Sequence, residues 1–334
     1  MHPGRGLTIL LLLATMLTQA GTGASAQGAG PGTPANSMPV TLTGCSGQPL
    51  TFDHVPEWIV TLDAYAAEFV IDLGFGDRIV GTGYPYPDAQ IPDDLRDDYA
   101  AIPVLADLVP SREAIAAAQP DLVLTAYSAL FGIDEGFVDP DDVRALGAVP
   151  FASCWDAATT TVSDIEFTYA FFDELGQILR VPDRAEGIVA GLRERQASIV
   201  ERYAGESPTR VFADATDPND GQPIPTWGGA SLPNGIMTLA GCTNIFGDVD
   251  DDGVVPSAEE VAARDPEVLI IVSDFSTLTS EELIAAIQAN NVLSGTTAAR
   301  DGRFVVVSHV LVGGPSPRNL DAVEALAAAC HPTS

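Results

Sequence analysis

The sequence predicts an α/β protein of two lobes, each a mostly parallel sheet flanked by helices, joined by one long linking helix. Three observations carry that expectation. The chain has 334 residues, more than one hydrophobic core usually organises. Short apolar runs alternate with amphipathic stretches, the pattern of βα units that feed a parallel sheet. The alternation halts at a long helical stretch and then restarts. Asp121-Leu122-Val123 and Glu267-Val268-Leu269 thereby stand at equivalent places in two units, each a helix stop followed by a core strand. The expected boundaries are a first lobe over 40–161, a linking helix over 162–181 and a second lobe over 182–334.

Residues 1–26 read as a secretory signal peptide, with Arg5, an apolar stretch Leu7–Leu17 and a small-residue cleavage site Ala24-Ser25-Ala26. The stretch is too short to span a bilayer; the alternative is an uncleaved anchor. Residues 27–39, rich in Gly, Pro, Ala and Ser, read as a flexible leader. The expected location is secreted or periplasmic, after cleavage behind Ala26.

In the first lobe, Val40–Leu42 and Leu50–Phe52 form a hairpin around Gly44–Gln48. Trp58–Leu62 is a strand, and Ala64–Leu73 has helical periodicity ending at Gly74. Ile79–Gly81 is a strand, a Pro/Asp-rich loop follows, and Val104–Leu105 is extended. Ser111 caps a helix over Arg112–Ala118 that Pro120 stops. Asp121–Thr125 is a buried-type strand, Val143–Leu146 is helical and Pro150–Ala152 is the next strand. Across the link, Ile165, Tyr169, Phe172, Leu175 and Leu179 recur at spacings of three and four. Pro182 breaks that helix, and Ala185–Tyr203 forms another. A single helical crossover is stiff and predicts small lobe movements. In the second lobe the strands are Thr209–Ala213, Val268–Val272 and Phe304–Val307. Its helices are Asn234–Ala240, Ala258–Ala263 capped by Ser257, Glu281–Ala289 capped by Ser280, and Asn319–Ala329.

Forty-six acidic residues face 15 basic ones, all arginine, for a net charge of −31. Such a surface repels nucleic acid. The four cysteines, Cys45, Cys154, Cys242 and Cys330, form no CxxC pair and so no zinc ribbon. In an oxidising compartment they suggest disulfides. Three pairings exist; two sequential lobes make Cys45–Cys154 and Cys242–Cys330 the natural pairs, and four buried thiols are the alternative.

Several stretches carry a family resemblance: Ile59-Val60-Thr61-Leu62-Asp63, Asp77-Arg78-Ile79-Val80-Gly81-Thr82 and Ile102-Pro103-Val104-Leu105. Ala117-Ala118-Gln119-Pro120-Asp121-Leu122-Val123, Glu259 to Ile271 and Pro317-Arg318-Asn319 continue it. In this order the chain resembles the class III substrate-binding proteins of ABC importers. That family includes receptors for ferric siderophores, haem and cobalamin, and others proposed to carry a deazaflavin-cofactor precursor. The resemblance implies a non-catalytic, monomeric receptor. It would take a small-molecule ligand, foremost an iron–siderophore or a related chelate such as cobalamin or haem. An anionic cofactor precursor is the alternative. The partner it implies is an ABC permease in the membrane, met through surface acids such as Glu68 and Glu281 or Glu282.

In such a fold the ligand lies between the lobes, at the carboxyl ends of the strands. The residues selected there are Tyr84, Tyr86, Asp107, Tyr127, Ser128 and Trp155 in the first lobe, and Trp227, Asp274, His309 and Arg318 in the second. Aromatic faces with few polar groups suit a conjugated ligand or metal chelate, with Arg318 pairing an anion. Local packing is the competing reading of each aromatic, and an ion pair with a nearby acid that of Arg318. Only His54, His309 and His331 follow the signal, too few and too scattered for a multi-histidine metal pocket. Asp248, Asp250, Asp252 and Gly253, then Glu259, fit a calcium-loop pattern. It offers either a structural calcium, in a secreted interaction protein, or an ordinary acidic loop before a helix. No resident cofactor is otherwise expected. GxSxG, P-loop, HExxH and Rossmann patterns are all absent from the sequence, which argues against an enzyme.

Overall fold

A computed structural model of the chain describes residues 39–87, 90–132, 138–154, 165–219, 224–274 and 276–332. The signal peptide, nearly all of the leader and Trp155 lie outside them. β1 (Val40–Thr43) and β2 (Pro49–Phe52) form the expected antiparallel hairpin. β3 (Ile59–Thr61), α1 (Ala64–Asp72), β4 (Ile79–Thr82), α2 (Arg96–Ala100), α3 (Arg112–Ala118), β5 (Leu122–Thr125), α4 (Pro140–Ala145) and β6 (Val149–Ala152) follow. The four later strands make one parallel sheet in the order β4-β3-β5-β6.

Alternation along these strands buries both faces. Ile59, Leu122, Leu124 and Phe151 face α1 and the helices beyond the lobe. Val60, Leu62 and Val123 face Ile115 of α3 and Val143 of α4. A parallel sheet covered on both sides reads as continuous apolar runs, which is why Leu122–Thr125 is wholly buried. The α1 helix stops because Gly74 takes φ +86, a left-handed position glycine holds without steric cost.

Two helices make the crossing. α5 (Glu166–Ile178) buries Phe171 and Phe172 against Phe69 of α1. Pro182 does more than end it: the fixed φ of proline suits the first turn of the next helix, and α6 (Pro182–Arg202) begins there. A Cβ on Gly176 would lie 2.5 Å from that of Ala185, so glycine allows the two helices to pack closely. Arg195 of α6 then pairs with Asp321 and Glu324, fastening the crossing to the second lobe.

That lobe contains β7 (Thr209–Asp214), β8 (Thr226–Trp227), α7 (Leu232–Leu239), β9 (Cys242–Asn244), β10 (Gly253–Val254), α8 (Ala258–Arg264) and β11 (Val268–Ser273). α9 (Ser280–Ala289), α10 (Thr297–Asp301), β12 (Phe304–Ser308), α11 (His309–Val312) and α12 (Asn319–Cys330) complete it. Its parallel sheet runs β12-β11-β7-β9. The α9 cap is Thr279 and not Ser280, because Glu282 stands three residues on and closes a capping box with it. β8 and β10 form a small antiparallel pair. One apolar cluster runs through both lobes, from Phe52 and Phe69 to Val323 and Cys330. The structure joins Cys45 to Cys154 and Cys242 to Cys330.

A net charge of −31 without lysine gives this fold strong self-repulsion at low salt. Raising ionic strength from 0.01 to 1 M shortens the screening length from about 30 to about 3 Å. The melting temperature of the chain from residue 27 onward should therefore rise steeply with sodium chloride. A salt-independent melting temperature would show that the acids are already compensated.

Candidate functional site

The two sheets turn their carboxyl ends toward each other, and the loops that leave them build the site. Asp63 closes the β3 loop. Buried, it caps α1 through the Ala66 amide at 2.8 Å and accepts from Thr125 Oγ1 at 2.7 Å and the Ala126 amide at 3.0 Å. Burial pushes its carboxyl up, against these hydrogen bonds. The exits of β3 and β5 are thus locked to one another, which sets Tyr65 beside Tyr127, ring centroids 5.6 Å apart.

Both tyrosines reach the second lobe. Tyr65 donates to the His309 carbonyl at 3.4 Å and Tyr127 to the Gly313 carbonyl. Burial raises both phenols above their ordinary range, so they act as donors at any working pH. Tyr84 follows the exit of β4. It is 48% exposed and holds φ 41, a backbone state costly for a side chain of this size and frequent at binding sites. Its amide donates to Leu108 O at 3.0 Å, which places it beside the exposed Leu108 and Val104.

In the second lobe, β8 and β10 hold Trp227 at the rim of a cavity of about 230 Å³, which His309, Thr226 and Asp252 also line. Burial lowers the His309 pKa, with Asp274 opposing; the imidazole is therefore neutral near pH 7 and able to accept or coordinate. Asp274, at φ 72, accepts from Ser273 Oγ at 2.6 Å. The Ser308 hydroxyl sits 3.1 Å from Asp274 and 3.2 Å from Gln90 of the first lobe.

The glycines after Trp227 explain the acidic loop. A Cβ on Gly228 would overlap the Asp251 carbonyl, and one on Gly229 would lie 3.0 Å from Val249 O. Carbonyls of Val249, Asp251 and Asp252 accept from the amides of Gly229, Ala230 and Gly228. The loop is a brace under Trp227. Asp248 pairs with Arg264 at 2.5 Å, and Glu259 lies in the first turn of α8. Asp248, Asp250, Asp252 and Glu259 are not brought together: no three His, Cys, Asp or Glu side chains among the described residues gather as a metal site.

The remaining selected residues divide. Tyr86 is buried, stacks on Tyr99 and donates to Glu68 Oε2 at 3.1 Å. Arg318 pairs with Glu68 at 2.6 Å and with both oxygens of Asp94 at 2.8 and 2.7 Å. Asp107 is exposed on the loop after Leu105. Ser128 opens a 3₁₀ turn and lines a groove under the hairpin tip with Cys45 and Gln48. Glu68 corrects the expectation of a surface acid. It is wholly buried, because α1 is enclosed on nearly every side. The residues that sequence reasoning passed over are Tyr65, Gln90, Asp94, Gly313 and Gly314.

Burial raises Glu68 to about 7, against the pull of Arg318, and Asp72 and Asp214 to about 6. Each value lies above that of the unfolded chain, so folding takes up protons in this range. The stabilisation is complete below the ordinary carboxylate values and is lost as pH rises through about 6 to 7. Thermal unfolding should therefore occur several degrees higher at pH 5 than at pH 8. Glu68→Gln should shrink that difference; an unchanged pH profile in Glu68→Gln would assign it elsewhere.

Residues 59–310 match the family model described as periplasmic binding protein. A cobalamin-binding protein of Halobacterium salinarum is 27% identical over 358 aligned positions, covering the whole chain and 86% of that relative. A periplasmic binding protein of Veillonella parvula superposes with a TM-score of 0.76 at 24% identity, over 89% of this chain and 98% of that one. The ABC-type Fe3+-hydroxamate transport system of Saccharomonospora viridis gives 0.70 at 25% identity, over 87% and 99%. No helix among the described residues is long and apolar enough to cross a membrane.

Proposed function

The chain belongs to the periplasmic binding protein family, and from that premise we propose that it is the receptor of an ABC importer for a cobalamin-type corrinoid. The observation that carries the reading is the similarity along the entire chain to a protein named for cobalamin binding. The site is compatible with it. At the cavity wall Trp227 offers an aromatic face for a macrocycle, and neutral His309 beside it adds a hydrogen-bonding or coordinating nitrogen.

The present cavity of about 230 Å³ is below the range that even drug-sized ligands fill, about 300–1,000 Å³. A corrinoid is larger still, so this cavity, lined by second-lobe residues alone, would receive only part of it. The loaded receptor then docks on its permease. Glu281, exposed in the first turn of α9, is available for such a contact, and Glu68 is not.

Truncating a central aromatic anchor typically removes about 2 kcal/mol of binding, or about 30-fold in affinity. Trp227→Ala should weaken cyanocobalamin binding by that order with little change in melting temperature. Unchanged affinity would remove Trp227 from the binding surface. A ferric hydroxamate is the second reading, favoured by the Saccharomonospora likeness; tight binding of ferrichrome without binding of cyanocobalamin would establish it.

A further inference from the structure

The segment from His309 to Arg318 leaves the second sheet and runs along the first lobe. It meets Tyr65, Tyr127 and Glu68 in succession. In its middle stand Gly313 and Gly314. Neither takes a positive φ, so conformational freedom is not what selects glycine there. Space is. A Cβ on Gly313 would lie 2.5 Å from His309 Nε2. A Cβ on Gly314 would lie 2.8 Å from Tyr127 Cε2 and closer still to its hydroxyl, far inside van der Waals contact.

Neither side can yield easily. Asn319 Nδ2 donates to the carbonyls of Leu311 at 3.0 Å and Gly314 at 2.9 Å, and Asn319 Oδ1 accepts from the Ser316 amide at 2.9 Å. These bonds brace the segment on the end of α12. Tyr127 is held by Tyr65 and by its bond to the Gly313 carbonyl.

We propose that Gly313 and Gly314 form a seat for Tyr127 of the first lobe, and that this seat sets how closely the two lobes approach while it also places the His309 ring at the cavity wall. The pair are positioning residues: they touch no ligand and act through Tyr127 and His309.

The structural part is tested on the unliganded secreted chain, so its outcome does not depend on the identity of the ligand. Gly314→Ala should raise the radius of gyration measured by small-angle X-ray scattering. Tyr127→Ala removes the ring that the new methyl would strike, so adding Gly314→Ala to it should produce no further increase. An unchanged radius in folded Gly314→Ala would overturn the proposal, as would an equal increase in the Tyr127→Ala background. Should Gly314→Ala fail to fold, Tyr127→Ala alone decides. Amide hydrogen exchange over 309–318 should accelerate severalfold while the sheet strands keep their protection; unaltered exchange there would refute the seat.

Discussion

Arg318→Ala should be among the most destabilising single substitutions in the protein, by about 3–5 kcal/mol in denaturant unfolding at pH 8, the loss seen when one partner of a buried ion pair is removed. Glu68 is wholly buried, and Arg318 is 21% exposed on its side chain. The carboxylate also accepts from Tyr86 Oη and Ser316 Oγ, each at 3.1 Å. Two hydroxyls are insufficient to hold a charge out of water once the guanidinium is gone. The group then escapes by protonation. The Arg318→Ala deficit should therefore shrink as pH falls through about 7, where Glu68 already takes up its proton in the intact protein. Arg318→Ala with Glu68→Gln should recover much of the loss. A deficit that is constant between pH 5 and pH 8 would mean that Arg318 acts through Asp94 or through packing.

The second large effect is expected from the disulfide between Cys242 and Cys330. It closes a span with a sequence separation of 88, and constraint of the unfolded chain by a loop on the order of 100 residues contributes about 4.7 kcal/mol in the loop-entropy account. Both sulfurs are buried, on β9 at the sheet edge and at the end of α12. Cys242→Ala with Cys330→Ala should cost about 2–5 kcal/mol, lower the denaturant midpoint and steepen the slope, because the released unfolded chain exposes more surface. A loss under about 1 kcal/mol would mean that the Cys242–Cys330 bond restrains the unfolded chain little.

Much of the framework was legible because local rules agreed with the fold. The runs Leu122–Thr125 and Val268–Ser273 are buried strands whose apolar continuity announces them. Ser111 and Ser257 cap the helices expected of them. Thr279 was legible too: of two adjacent capping residues, only it has a glutamate three positions on. The misreading of Glu68 has a similar lesson. Every residue from Ala64 to Ile71 is buried, and a helix apolar on all sides is an interior helix, so a carboxylate within it requires a partner inside. That partner is 250 residues away in sequence, and no local pattern names it.

The site was less legible for the same reason. Residues at strand ends can be picked from sequence: Tyr127 and His309 join across the two lobes through backbone carbonyls, while Trp227 lines a cavity of the second lobe. Whether a side chain faces the cavity or spends its polar end on another residue depends on contacts across the lobes. Tyr86 and Arg318 look identical to cavity residues until Glu68 is seen between them. The acidic stretch from Asp248 to Asp252 carries the spacing of a cation loop, but its carbonyls hold the backbone behind Trp227.

The proposed corrinoid cargo is tested most directly by a calorimetric titration of residues 27–334 with cyanocobalamin, run beside ferrichrome and haemin. The expected result is one-to-one binding of cyanocobalamin, with a thermal stabilisation of about 2.7 kcal/mol when free ligand stands at 100 times its dissociation constant. Saturable binding of ferrichrome or haemin in its place, with no heat from cyanocobalamin, would contradict the proposed cargo.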